Sequence, residues 1–309
     1  MRRIFFSFLA FMASVTTLMA DCITPSTATA TVTLTRRTGE FSVSATRKVS
    51  FSPGNLQYQA STNTWRFAPQ QYSYVGNAVG NTNPTSTQSG WIDLFGWGTS
   101  GWDNTAVDAK STNYQPWATD KTDNGASQSP QWDNRYGYGP SITTVAANAS
   151  WATNSNYDWG VYNAAQLGSG WRTLSQAEWT YILSTRTNAS SKYGLATANG
   201  VNGLVLLPDS WTLPDGCSFT AGTAYGFSTN SYTDAQWTLM EANGAIFLPC
   251  AGYRDATTMN NVGSEGNYWE STTPGDYGAW DLRIAYDNVQ ADHWTSRYIG
   301  FSVRLVQDL

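Results

Sequence analysis

Histidine is all but missing from this chain of 309 residues, where His293 stands alone. Any Ser-His-Asp triad would have to use His293, and no cluster of imidazoles can hold a metal ion. A lone histidine in a polar segment reads first as a surface residue. Cysteine is nearly as scarce: Cys22, Cys217 and Cys250 are all there is. Charged side chains make up 13% of the chain, about half of the ~25% usual in soluble domains. No basic run follows Arg2 and Arg3, and the net charge is −5, so binding to nucleic acid through phosphate neutralisation is disfavoured. Neither a Gly-rich phosphate loop nor a βαβ rhythm occurs, which sets aside the nucleotide-binding α/β folds.

Aromatic residues stand in place of charge, with 15 Trp and 17 Tyr. Disordered chains are poor in aromatics, so a folded domain is expected. Such an excess fits a large β-rich core or a surface that stacks on flat or sugar-like ligands. The N-terminus, "MRRIFFSFLAFMASVTTLMADC", has a positive start at Arg2 and Arg3 and an apolar stretch from Ile4 to Val15. Small residues follow, so residues 1–20 read as a secretory signal peptide cut after Ala20, too short for a membrane span. A lipid anchor at Cys22 is the weaker reading, because Asp21 would occupy a position that prefers a small residue. Export permits disulfides, and two readings stay open: free thiols, or a Cys217–Cys250 bridge with Cys22 left over.

Residues 21–40 are Thr-rich and alternating, a linker or one edge strand. Beyond them short strands with turn punctuation begin. Phe41, Val43 and Ala45 alternate with polar residues, as do Val49 and Phe51, before a Pro53-Gly54 turn. From about 77 to 159 the chain is rich in Gly, Asn, Ser, Thr and Trp without helical period. We read it as an irregular insertion packed on its own aromatics. Two helices are well signalled. Ser175 and Glu178 form a capping box flanked by Leu174 and Trp179, with Trp179, Ile182 and Leu183 on one face. Thr233 and Gln236 repeat the box ahead of Trp237 and Met240, and Asn243-Gly244 ends the helix. "GLVLLPD" and "GAIFLPCAGY" read as buried strands. "AWDLRIAY" sets Trp280, Leu282, Ile284 and Tyr286 inward against Asp281 and Arg283 outward. "GFSVRLV" sets Phe301, Val303 and Leu305 inward and Ser302 and Arg304 outward. The fold class expected is α+β: a mostly antiparallel sheet, two main helices and long Trp-rich loops.

The segments "WRTLSQAEWTYIL", "MEANGAIFLPCAGYRD", "GNYWESTTPGDYGAWDLRI" and "GFSVRLV" together resemble the FISUMP-type (major paralogous domain) secreted bacterial proteins. These are relatives in scaffold of the C-type-lectin-like fold, the formylglycine-generating enzymes and the diversity-generating-retroelement variable proteins. The resemblance covers residues 41–309. It implies a C-type-lectin-like sheet scaffold that presents its C-terminal loops as a binding face. In retroelement-diversified relatives the varied segment corresponds to about 263–297, where Tyr, Asn, Asp and Ser give contact area at low entropic cost. The ligand-binding residues implied are Tyr277, Asp281, Arg283, Asp287, Asn288, Asp292, His293, Trp294 and Arg297.

Chemistry on this scaffold is limited by the residues present. A copper oxidase of the formylglycine-generating kind needs closely spaced thiols near the C-terminus, and none follows Cys250. A glycosidase needs two carboxylates at a set separation; Glu265, Glu270, Asp276 and Asp281 are close in sequence, but strand alternation sends neighbours to different faces. No catalytic residue and no cofactor is assigned. Structural calcium is compatible with the fold, although the Glu-Pro-Asn sugar-binding signature is absent. Trp91, Trp97 and Trp102 could form a sugar-stacking platform, but the safer reading pins a loop to the core. The expectation is an exported, non-enzymatic recognition module, adhesin-like or surface-associated. Its partner would be a protein or glycan at a cell surface, with no nucleic acid and no membrane span. The alternatives are a carbohydrate-binding component of a polysaccharide-degrading system, or an enzyme on the same scaffold.

Overall fold

The computed structural model describes residues 39–102, 115–119, 155–224, 226–274 and 278–309. The expected signal peptide, Cys22, nearly all of the Thr-rich segment, much of the Trp-rich insertion and Tyr277 lie outside the described residues. The first strands are β1 (Phe41–Ser42), β2 (Lys48–Phe51), β3 (Leu56–Gln59), β4 (Thr64–Phe67) and β5 (Trp91–Ile92). They are followed by β6 (Trp171–Arg172), β7 (Tyr193–Ala198), β8 (Val201–Leu206), β9 (Asn230–Tyr232) and β10 (Ile246–Pro249). The C-terminal set is β11 (Tyr253–Asp255), β12 (Thr258–Asn260), β13 (Gly266–Trp269), β14 (Ala279–Ala285), β15 (Asn288–Thr295) and β16 (Val306–Asp308). Helices α1 (Val79–Thr82), α2 (Trp159–Tyr162) and α3 (Ala164–Leu167) are single turns. The longer α4 (Gln176–Thr180) runs on as a π-helical turn over Tyr181–Thr185, and α5 spans Asp234–Ala242. The architecture is α+β with few helices, and antiparallel pairing dominates: among the strand pairs of the described residues only β7–β9 is parallel.

Both long helices start where their caps require. Ser175 accepts from the Glu178 backbone N–H while Glu178 reaches back to the Ser175 N–H, and Thr233 and Gln236 do the same for α5. Trp179, Ile182 and Leu183 are buried on one side, as are Trp237 and Met240. α5 stops at Asn243, and Gly244 beyond it has φ +92°, the left-handed conformation that glycine adopts without strain.

The apolar runs become strands covered on both faces. β10, β8, β7 and β9 form one sheet. Leu195, Leu204, Leu206, Ile246 and Leu248 point into a central core with α4. Ala196, Val205 and Phe247 point the other way, onto Trp237 and Met240 of α5. A second sheet, β13–β14–β15, closes the central core with Tyr268, Leu282 and Ile284. Its opposite face gives Trp269 and Ala279 to a third, aromatic core built with Leu56, Trp65, Phe95, Trp97, Trp159 and Phe301. The described part of the insertion is thus packed. Phe95 pairs with Phe301 through backbone hydrogen bonds, and Trp97 Nε1 donates to the Glu270 carbonyl at 2.6 Å.

This second covering layer corrects several expectations. In "GFSVRLV", Ser302 and Arg304 are buried along with Phe301, Val303 and Leu305, and the regular strand there begins only at Val306. Arg304 is held inside by Asn55, Gln71 and the Phe247 carbonyl. Tyr286 is exposed at the β14–β15 turn and Ala45 is exposed in the turn after β1, whereas Trp280 is half-buried. Cys217 and Cys250 form no disulfide: both are free, Cys250 in the central core and Cys217 against the α5 side, 3.6 Å from the Gln236 carbonyl. Among the described residues no helix is long and apolar enough to cross a membrane.

Candidate functional site

The aromatic-core face of β13–β14–β15 opens at one end into a cleft of about 430 Å³. Glu265 and Asn267 of the β13 edge, Arg283 of β14, and His293 and Thr295 of β15 form its floor. Tyr253 and Asp255 of β11, with Ile299 and Phe301, form the facing wall. Gly252 lets β11 lie this close, since a Cβ there would stand 2.3 Å from the Asn260 carbonyl and its φ is +76°.

A β-bulge decides which side chains meet. β14 pairs regularly with β13, Trp269 opposite Asp281 and Asn267 opposite Arg283. Against β15 the register shifts: Arg283 faces Gln290, but Asp281 faces His293 rather than Asp292. The extra residue moves His293 from the central-core face to the cleft face, beside Asp281. His293 Nδ1 lies 2.9 and 3.1 Å from the two Asp281 carboxylate oxygens and donates to them, which leaves Nε2 toward the cleft. Asp281 is fully buried; burial pushes its carboxyl up, and the hydrogen bond from His293 offsets only part of that rise. His293 is raised above 6.5, first by its hydrogen bond to Asp281.

Beside this pair, Arg283 Nε donates to Glu265 Oε1 at 2.9 Å. Asn267 Nδ2 reaches the same oxygen at 3.3 Å, and Asn261 Nδ2 reaches Oε2 at 2.8 Å. Burial pushes Glu265 up, but these bonds, Arg283 first, outweigh it and hold the carboxyl below 4.5. Arg283 is raised by the same hydrogen bond. The array is charged and braced by its own neighbours.

The residues expected to form the binding face are therefore sorted. Arg283 and His293 are brought together in the cleft, with Asp281 beneath them rather than outward. Asp287 and Asn288 are exposed at the β14–β15 turn, and the Asp287 carbonyl accepts from Thr223 Oγ1. Asp292 and Trp294 are exposed on β15 and do not line the cleft. Arg297 is no rim residue: it is buried over the Trp97 ring, donating to the Gly278 carbonyl and Thr273 Oγ1. Tyr277 lies outside the described residues. Tyr253, Asp255, Asn261 and Asn267 were not foreseen, because only the folding of β11–β12 against β13 places them here. Their sequence signal is slight, a Gly on each side of the contact at 252 and 266.

The Trp platform does not form. Trp97 is fully buried, Trp91 is covered by the Arg66 guanidinium at 3.5 Å, and Trp102 stands edge-on to Tyr157. Among the described residues no group of three or more His, Cys, Asp or Glu could hold a metal ion. Comparison with family models, with curated proteins and with solved structures finds no match to this chain.

Proposed function

We propose that the protein is an exported, non-enzymatic recognition module of C-type-lectin-like fold that binds its ligand in the cleft between β11 and the β13–β14–β15 sheet. One observation carries this reading. Arg283 and His293, set on paired strands, are each locked by a buried or half-buried carboxylate and face a cleft of about 430 Å³, within the size range of small-ligand sites. Groups held this way lose little side-chain entropy on binding. The exposed Trp294, Asp292, Asp287 and Asn288 extend the surface beyond the cleft for a larger protein or glycan partner.

The test is a binding screen of the purified protein against glycans and cell-surface proteins. An Arg283→Ala/His293→Ala variant is run beside an Asp287→Ala/Asn288→Ala/Trp294→Ala variant. Binding that is lost in the first, with melting temperature held, supports the cleft. Binding that survives there and disappears in the second moves the site to the hairpin and outer strand. The glycan arm separates the carbohydrate-binding alternative, for which Tyr253 and Phe301 offer aromatic walls. The Asp281–His293 pair favours one enzymatic reading, since a carboxylate on Nδ1 orients an imidazole as a general base at Nε2. That reading requires turnover of a bound ligand that ceases in His293→Ala.

A further inference from the structure

The cleft contains more carboxylates than cations, yet the groups it offers to a ligand are donors. Glu265 has both oxygens occupied, Oε1 by Arg283 Nε and Asn267 Nδ2, Oε2 by Asn261 Nδ2. Asp281 is buried with both oxygens on His293 Nδ1. These two acids are therefore braces. What they leave unused are the two Nη groups of Arg283 and Nε2 of His293, none of which has a protein partner among the described residues. Both side chains are about one-third exposed, 34% for Arg283 and 32% for His293, and both line the same cleft. Arg283 lies two residues beyond Asp281, the partner of His293, so the two cations stand on one face of the sheet and line one cleft.

We propose that the cleft recognises a carboxylate on a small ring-bearing ligand, gripped by the Nη edge of Arg283 and the Nε2–H of protonated His293. The inference rests on the binding function proposed above and names its ligand chemistry. A guanidinium whose Nε is already fixed presents its remaining edge as a rigid planar fork, the shape that a carboxylate matches. A monoanion suits the charge better than a dianion: Glu265 and Asp281 already offset Arg283 and protonated His293, and Asp255 lines the same cleft, so a phosphate dianion meets the greater repulsion. Tyr253, Phe301 and Ile299 supply an apolar wall for the body of the ligand. Sugar acids and peptide C-termini ending in an aromatic residue share this chemistry. The charged groups acting on His293 are Asp281 and Arg283 of β14 and Glu265 before β13, and Tyr253 and Asp255 of β11 line the same cleft. Because the grip needs the imidazolium, affinity falls as pH rises through the His293 titration.

The experiment is an NMR titration of the purified protein with D-galacturonate and with N-acetyl-Ala-Ala-Phe. Each is run against its neutral methyl ester or amide, with inorganic phosphate as a further probe, at pH 6 and pH 9. The expected result is that at least one acid binds and its neutral counterpart binds at least tenfold more weakly. Affinity should also drop at least tenfold from pH 6 to pH 9. His293→Gln should abolish that pH dependence, and Arg283→Lys should weaken binding about tenfold with the melting temperature held. Neutral probes that bind as well as the acids, phosphate that binds more tightly than either, or acids that leave the cleft resonances unmoved at millimolar concentration would each overturn the inference. In all three cases the cleft keeps its proposed function if a ligand from the screen is lost in Arg283→Ala/His293→Ala; if that ligand too survives, both fail.

Discussion

Glu270 follows β13 with its side chain fully buried and neither carboxylate oxygen hydrogen-bonded. Other buried acids in the protein are provided for. Asp93 accepts from Asn81 Nδ2 and the Val75 N–H and is raised only to about 6. Asp158 accepts from the Gly160, Val161 and Thr173 N–H groups. Glu270 has burial and the negative charges of Asp281 and Asp292 against it, which push it well above 4.5. An unpaired buried charge is costly, so the group stays neutral. Because its folded value lies above the unfolded one, the stability it permits is present below about pH 4.3 and is lost as pH rises toward the folded value. Glu270→Gln removes that loss. Thermal denaturation between pH 4 and pH 8 should show the variant gaining on the parent progressively as pH rises, because the amide has no proton to lose on unfolding. Parallel curves would show that folding does not raise the Glu270 carboxyl above its unfolded value.

At the scale of elements, α4 shows what sequence makes legible. A capping box involves residues three apart and needs no tertiary information, so Ser175–Glu178 and Thr233–Gln236 can be read directly. The same holds for the alternation of β14, which correctly groups Leu282 with Ile284 and Asp281 with Arg283. What alternation cannot say is whether the second face meets water. Here it meets another core, so Asp281, Ser302, Arg297 and Arg304 are inside. Nor can it reveal the bulge in β15, a property of how two strands pair, and the bulge alone puts His293 beside Asp281. Glu178 also exceeds its local role. It accepts from Arg172 Nη1 and Nη2 at 2.9 and 2.8 Å and from Arg47 at 2.7 Å, and Arg172 also binds Asp308 of β16. Ser175→Ala should therefore cost about 1 kcal/mol, the usual worth of a cap, and Thr233→Ala about the same. Glu178→Ala should cost about 2–3 kcal/mol, because charge-assisted bonds are lost with it. Urea denaturation followed by far-UV circular dichroism ranks the three. Equal losses would mean that the ion network contributes nothing beyond the cap.

For the whole molecule, the two sheets act as shared walls. β8 and β10 give alternate residues to the α5 core and to the central core, while β13 and β14 give theirs to the central core and to the aromatic core. No core can lose its packing without uncovering one face of a sheet whose other face belongs to its neighbour. A chain this long ordinarily tends toward intermediates, but the shared walls couple the three cores into one cooperative unit. Each core also holds its own tryptophan reporter: Trp237 on the α5 side, Trp179 in the centre, and Trp97, Trp159 and Trp269 on the aromatic side. Phe247→Ala, Leu282→Ala and Trp269→Ala each empty one core and should each cost about 2–5 kcal/mol, depending on how far the site collapses. The expected result is one unfolding transition in the parent and in all three variants, with tryptophan fluorescence and far-UV circular dichroism superimposed and only the midpoint lowered. If Trp269→Ala instead split the fluorescence transition from the circular dichroism, the aromatic core and the cleft above it would unfold on their own. The Asp281–His293 and Glu265–Arg283 pairs would then lose the rigid floor on which the proposed recognition depends.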